Sequence, residues 1–509
     1  VPSKQWSLHP GHIISEESNH SGQEGRASHP NILVSGDFNV GTGKMLQSIK
    51  ILLAVSLVCM VLFPSNNLLE IRPVHGKAST LRSIHYTLDF AQRAFNNVSV
   101  TMFMDGIPTG SDLWLFRSSG SYKDKRVFIE SCKDDVGNKL TLEQIDNNTF
   151  LMSPGSKSVE IRYTVHVGEK DVCVEGYSSY VSGDFAIIQE DTVFLRPSVK
   201  FESVEVDIVA PPSWRILTVH QMDTPTSFTA DPNLMWKTYL ALGEFEVRST
   251  KAVLGNVEVV VASLGSTLHL VEEYVKYLPK LLDIYSLAVG KYSFEKLLAI
   301  LAPSIMQPGQ QLSGAICIGA PEWPIVAHEL FHEWNRRVFI LETDEEEFAV
   351  TWFLEGFTEY YAFMGLLKAE ILYGYGFSQR LLEYGLQYKS WVGTEYDLPI
   401  VEAWKVAREK EDSMYYQIPY VKGCLVAALL DQTLREKSGK NLDDLMKRLY
   451  TDFHSMKISN SIIEQSLDDL TGEDYRPFLN DYVYGTVELP IEKILEDQDN
   501  DRLLTIGER

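Results

Sequence analysis

IVAHELFHEWN, residues 325–335, is the stretch on which the reading of this chain turns. Ile325, Val326, Ala327, Leu330 and Phe331 supply an apolar helix that can bury the motif. On a helix, positions i and i+4 point the same way, so His328 and His332 can bring both imidazoles to one metal ion. Glu329 follows the first histidine and falls beside the water such an ion would hold, where a base takes a proton.

A five-residue pattern with two free positions recurs by chance in many helices, so its surroundings must decide. TWFLEGFTEYY follows at residues 351–361 and places Glu355 23 residues beyond His332 (355 − 332), on a second helical segment. Two histidines and one carboxylate hold zinc with a coordination position left for water. Among Trp352, Phe353, Leu354 and Phe357, a lone carboxylate would be costly unless it met a cation. Glu359, four residues on, has two readings: it orients a ligand, or it lies on a solvated helix face.

Outward from this centre the pattern changes with direction. From Pro324 to about Tyr450 helical periodicity dominates, broken by glycines and by the polar stretch Thr343–Glu347. Upstream, VEVVVAS (257–263), LLAILA (297–302) and GAICIGA (314–320) read as strands, with a helix over Leu268–Leu287. Between Ser83 and Val247 short alternating runs such as VSVTMFM (98–104), VEIRYTVHV (159–167) and VEVDIVAP (204–211) are separated by turn clusters such as DDVGNK (134–139). Many short strands at this spacing predict a β-sandwich. The expected plan is multidomain α+β: an antiparallel β-sandwich over 80–250, a mainly helical domain over 251–495, and a charged, frayed tail over 496–509.

Residues 1–44 are polar and without hydrophobic period, and read as a disordered leader or as sequence upstream of the natural start. Met45 then opens MLQSIK, followed by Ile51–Phe63, apolar except for Ser56. Segment 45–79 has the shape of a signal peptide; its apolar run is short for a transmembrane helix, and an uncleaved anchor stays open. The expected location is therefore outside the cytoplasm, secreted or attached to the envelope or membrane through residues 51–63. If that run is not a signal, the cytoplasm is the alternative.

The chain has 509 residues with 46 basic against 69 acidic, a formal net charge of −23. Such a surface repels phosphate backbones and argues against nucleic-acid binding. Cys59, Cys132, Cys173, Cys317 and Cys424 include no CxxC pair, which disfavours a thiolate zinc site. Cys132 and Cys173 have two readings, a disulfide or two unpaired core thiols. No signal of oligomeric state is present.

HELFHEWN, WFLEGFTEYY and YVKGCLVAALLD (420–431), in that order, resemble the glycyl aminopeptidase family of gluzincin zinc metallopeptidases and, more distantly, aminopeptidase N. The resemblance runs over roughly residues 80–490. It implies a thermolysin-like catalytic domain with one zinc ion on His328, His332 and Glu355, and Glu329 activating the water. It assigns Tyr420 to steadying the oxyanion of a tetrahedral intermediate, with Tyr415 a second candidate; Asn335 would support the ligands and Trp334 would pack. Aminopeptidase N-like enzymes carry, on a glycine-rich strand before the metal helix, a glutamate that binds the substrate's free amino group. The comparable strand here, Ser313–Ile318, offers no carboxylate, although Gly314 and Ala315 would let a peptide lie alongside as an added strand. Glu322 is the nearest acid and could simply cap the helix. The implied activity is hydrolysis of peptides or unfolded protein, as an aminopeptidase on small N-terminal residues. An endopeptidase of the same mechanism and an idle peptide-binding relative are the alternatives.

Overall fold

The computed structural model describes residues 80–500 apart from 92–95, 108–111, 118–126, 169–178, 303–308, 342 and 373. All of these fall in one unit, Ile51–Arg509. The leader, the 51–63 run, Cys59, Cys173 and residues 501–509 lie outside the described residues. Among the described residues, no helix is long and apolar enough to cross a membrane.

The first half is built on a seven-stranded sheet. Its strands run in the order Gln221–Thr224, Ser227–Ala230, Lys200–Val209, Thr80–Asp89, Asn97–Asp105, Ser158–His166 and Val127–Asp134. Alternation does the work expected of it: Val98, Val100, Met102 and Met104 point inward, and Phe103 points to solvent. Across the sheet Met102 stands opposite Tyr86 on one side and Ile161 on the other. The pairing is antiparallel except between Thr80–Asp89 and Lys200–Val209, which run parallel, so the expected all-antiparallel sandwich is corrected there. A long connection returns the chain beside its first strand, which no hairpin could do.

Two four-stranded sheets face this layer and share its core, through Leu113, Leu115, Phe150 and Met152 in one and Ala186, Ile188, Leu240 and Leu242 in the other. The strand Tyr239–Gly243 is buried along its whole length. Its other side chains, Tyr239 and Ala241, pack with Val260, Ala262, Leu298, Ile300 and Cys317 of the next sheet. This strand is therefore the seam between the front half and the second half.

The second half opens with a five-stranded sheet ordered Glu246–Lys251, Glu258–Ser263, Lys296–Leu301, Ala315–Ile318 and Gly309–Leu312. The first of these strands, Glu246–Lys251, spans residue 250, where the sequence places the boundary between the two domains. Helix Val271–Ala288 makes the crossover between two parallel strands. Gly309–Leu312, like Glu246–Lys251 at the other edge, is an antiparallel outer strand, joined to its neighbour by a tight turn at Ser313–Gly314, where Gly314 takes φ +72°. Helix Trp323–Asn335 follows and lays Val326, Ala327 and Leu330 into a core with Val259, Val261, Leu297 and Ile316. It is buried all round from Ile325 to Asn335, as its apolar sequence requires. Most of the remainder is helical, and the last described helix, Ile491–Asn500, continues through the start of the expected frayed tail.

Candidate active site

Three helices build the site. The first carries His328, Glu329 and His332. The second is the nearly continuous pair Asp344–Leu354 and Gly356–Lys368, with Glu355 at the joint. The third is Ser413–Ser438, which carries Tyr420. Asn335 staples the first to the second: its side-chain amide donates to the carbonyls of Phe353 (2.9 Å) and Leu354 (3.0 Å) and to the Thr358 hydroxyl (3.1 Å). The carbonyl immediately before Glu355 is thereby fixed to the end of the histidine helix. Trp334 anchors the opposite side through its indole N–H to the Gly290 carbonyl at 2.7 Å.

The second and third helices touch through glycines. A Cβ on Gly356 would stand 2.4 Å from the Gly423 Cα, and one on Gly423 would stand 2.7 Å from the Trp352 carbonyl oxygen. No side chain fits at either position, and this approach brings Glu355 and Tyr420 to the same cleft.

Within that cleft three lone-pair donors converge. His328 Nε2 and His332 Nε2 are 3.0 Å apart. Glu355 Oε2 lies 3.3 Å from the first and 3.4 Å from the second. Ligand atoms about 2.0–2.1 Å from a tetrahedral ion stand about 3.3–3.4 Å from one another, so the triangle has the size such an ion demands. Glu355 Oε2 is buried and makes no hydrogen bond, a costly state for a carboxylate oxygen unless a cation meets it. The donor set therefore fits a single zinc-like ion, and His328, His332 and Glu355 form the metal-competent group among the described residues.

Each donor is held from behind. Glu359 is buried, and its Oε1 lies 3.0 Å from His328 Nδ1. The Tyr384 hydroxyl donates to the other Glu359 oxygen at 2.8 Å, and the Arg380 guanidinium lies over the Tyr384 ring at 5.2 Å. Thr358 Oγ1 is 3.5 Å from His332 Nδ1. Arg336 reaches Glu355 Oε1 at 3.4 Å and is itself paired with buried Glu347. Fixed orientation of this kind is what a metal ligand needs from its neighbours.

The charges respond to this crowding. Burial opposes the charged form of His328, yet Glu355 and Glu359 outweigh it and push the imidazole up to about 10. Burial brings His332 down to about 4. Glu355 is likewise buried, but its two histidines hold its carboxyl well below the usual range. Burial raises Glu329 to about 7, the range of a general base working near neutrality. Glu329 meets the backbone N–H of Gln311, and a Cβ on Gly309 would lie 3.0 Å from its Cγ, so the outer strand runs directly over it. Tyr420 stacks along His328 with centroids 5.8 Å apart and planes at 23°.

Two expected positions change. Ser313–Ile318 was read as the strand a peptide would join, but Ala315–Ile318 is hydrogen-bonded on both edges. The Gly314 N–H is already given to Glu333 Oε1 at 2.8 Å. Gly314 and Ala315 thus cannot accept an added strand, and Gly309–Leu312 holds the outer position. Tyr415 is not brought to the donors either: its hydroxyl bonds Glu395 Oε2 at 3.2 Å and Lys410. Glu322 stands at the N-cap of its helix without a side-chain cap bond. Cys132, Cys317 and Cys424 are buried free thiols.

Sequence reasoning missed Arg336, Glu347, Tyr384 and Arg380. The pair Arg336–Arg337 directly after a buried motif was the available signal, because guanidinium groups that close to a core need carboxylate partners.

Residues 85–232 match the Peptidase M61 N-terminal domain. No curated protein sequence is significantly similar to the chain. An aminopeptidase N family protein from Idiomarina loihiensis shares the fold with TM-score 0.66 and 18% identity, over 81% of this chain and 78% of that one. So does an M1 zinc metallopeptidase mutant from Deinococcus radiodurans bound to a Tyr-Ser-Ala substrate, with TM-score 0.56 and 14% identity, over 82% of this chain and 96% of that one. Residues 85–232 thus match an M61-type N-terminal domain, the chain shares the fold of these two proteins, and His328, His332 and Glu355 close into a donor set of the size a single zinc-like ion demands.

Proposed function

We propose that the chain is a zinc aminopeptidase that removes small N-terminal residues, with Glu329 as its general base. The observation that carries the mechanism is the convergence of three donor atoms at 3.0–3.4 Å one helical position from a buried carboxylate raised to about 7. A zinc ion held by His328, His332 and Glu355 would supply Lewis-acid polarisation of the scissile carbonyl and of the attacking water. Glu329 takes the proton of that water and delivers it to the departing amine, a path its burial keeps free of bulk solvent. Tyr420 donates its phenolic O–H to the oxygen on which negative charge develops, stabilisation specific to the transition state. Asn335 and Glu359 hold the ligand set in place. The substrate backbone lies against the outer strand Gly309–Leu312, whose Gln311 N–H and carbonyl are held by Glu329 and Arg337. Export through segment 45–79 belongs to the same reading, since free peptides are then met outside the cytoplasm.

An endopeptidase reading has its own observation. The outer strand carries Gln310 and Gln311 where an amine anchor would stand, and the Gln311 amide is engaged by Arg337 and by the Leu312 carbonyl. An uncharged amide cannot neutralise a terminal ammonium group.

Mass-spectrometric analysis of free and N-acetylated peptide libraries separates the two. Stepwise trimming of free peptides only establishes the aminopeptidase, and internal cuts in both sets establish the endopeptidase. Glu329→Gln should keep its zinc and lose nearly all turnover, whereas His332→Ala should lose the metal by elemental analysis. A Glu329→Gln variant with unchanged rates would overturn the mechanism.

A further inference from the structure

The outer strand Gly309–Leu312 is gripped from two directions. From the histidine helix, Glu333 accepts the Gly314 N–H at 2.8 Å, and Arg337 donates to the Gln311 side-chain oxygen (2.8 Å) and backbone carbonyl (2.7 Å). From the front half of the chain, the Lys237 carbonyl accepts the Ser313 N–H at 2.8 Å, and the Tyr239 hydroxyl donates to the Gln310 side-chain oxygen. Only the second grip links the β-domain to the strand that covers Glu329.

That grip stands on a strained turn. Trp236 has φ +69°, a backbone region that bulky residues rarely enter and that persists only when the surroundings enforce it. The enforcing group is Glu190, fully buried. Its Oε2 accepts the Trp236 N–H at 2.9 Å, its Oε1 meets His220 Nε2 at 3.0 Å, and its own N–H donates to the Thr238 carbonyl at 3.1 Å. The His220 ring lies flat on Phe228, with centroids 4.8 Å apart. Lys237 follows Trp236 directly and Tyr239 comes three residues after it; these two reach the Gly309–Ile318 hairpin. Tyr239 has no exposed surface, so its ring cannot swing away.

We infer that Tyr239, seated by Glu190 through the Trp236 turn, is a positioning residue: it holds the outer strand in register against Glu329 so that a peptide lies at the height of the base. The β-domain thereby takes part in catalysis without touching substrate. The kinetic consequence rests on the peptidase reading, and the consequence for the strand rests on the contacts alone.

The test uses the full zinc-loaded chain with Tyr239→Phe, Gln310→Met and the double variant, followed by hydrogen exchange and by turnover. Loss of one buried hydrogen bond should speed exchange of the Gly309–Leu312 amides about tenfold in either single variant. The double variant should show no further increase, because each change breaks the same bond. Protection of the 323–335 helix and one zinc per chain should persist. In Tyr239→Phe, kcat/KM should fall about tenfold for a hexapeptide, which spans the strand, and stay near the wild-type value for a dipeptide amide, which is too short to span it. Wild-type exchange in Tyr239→Phe would overturn the inference, as would equal losses on the two substrates. If the wild-type chain cuts no peptide, the peptidase reading fails by itself and the exchange result still decides the role of Tyr239.

Discussion

Replacing Gly423 by alanine tests the contact that assembles the site. The new Cβ would sit 2.7 Å from the Trp352 carbonyl oxygen and 2.9 Å from the Gly356 Cα, both backbone atoms of the helix pair that carries Glu355. Carbon contacts settle at about 3.5–4.0 Å, so the two helices must part by roughly 0.5 Å or more. Two effects then oppose each other. Alanine gains about 1 kcal/mol over glycine inside a helix. Overpacking against an unyielding core costs about 1–3 kcal/mol, and the upper end applies because no flexible side chain can give way. Destabilisation should win, by about 1–2 kcal/mol net.

The displacement matters more than the stability. Tyr420 lies three residues before Gly423, so parting the helices carries its ring away from His328. Errors approaching 1 Å at a reacting centre can cost on the order of 100-fold in rate, and half that shift should cost about tenfold in kcat. Denaturant unfolding and peptide turnover of the zinc-loaded variant measure the two effects separately. Gly376→Ala is the control: the nearest atom to its Cβ would be Leu372 at 3.7 Å, and it should stabilise by about 0.5–1 kcal/mol. If Gly423→Ala behaves like the control, with full activity, the close helix contact does not exist and the account of how Glu355 and Tyr420 meet is wrong.

Lys422 is buried, its ammonium donates to the carbonyls of Leu398 (3.3 Å) and Gly485 (3.4 Å), and burial brings it down to about 8. The unfolded chain keeps that proton to about 10.5, so the folded state binds fewer protons between the two values and stability rises with pH across that window, by up to about 3 kcal/mol. Subtracting the stability of Lys422→Met from wild type at pH 7 and pH 10 should expose this gain; a difference independent of pH refutes it. Glu359→Gln should weaken zinc binding at least tenfold in chelator competition, and Tyr384→Phe by a smaller factor, since each acts on His328 from one step further back. Unchanged affinity in Glu359→Gln would show that His328 needs no such support.

How much of this was legible depends on how local the cause is. The histidine helix was readable because its burial and its i, i+4 pair are both written within a few residues. Glu355 was readable because a carboxylate among Trp352, Phe353 and Phe357 has few reasons to exist. The outer strand was not: GQQL contains no β-branched or aromatic residue, and its amides are tolerated in a buried strand only because Tyr239 and Arg337 meet them from distant segments. The reading of the substrate strand therefore slipped to the more apolar neighbour. Tyr420 and, as a second candidate, Tyr415 came from the family resemblance, but five residues on a helix separate them by about 140°, so only one can face the donors. The parallel pairing of Thr80–Asp89 with Lys200–Val209 joins residues more than a hundred positions apart and leaves no local trace.

The number of buried charges makes the final argument. Around the donors stand Glu329, Glu333, Glu347, Glu355 and Glu359, all nearly inaccessible, against the guanidinium groups of Arg336, Arg337 and Arg380. A fold selected for stability alone would replace such a cluster with apolar side chains, because desolvating an ion pair usually costs more than the pair returns. Two of the carboxyls, Glu329 and Glu333, are pushed by burial to about 7 and about 8, which is how an excess of negative charge is tolerated without a cation. His328, pushed up to about 10 by Glu355 and Glu359, keeps its proton in the same way, so these side chains balance one another only by holding protons. A divalent ion at the His328–His332–Glu355 triangle would take the place of the His328 proton where the donors converge, and Arg336 and Glu359 lie behind the three side chains to hold them.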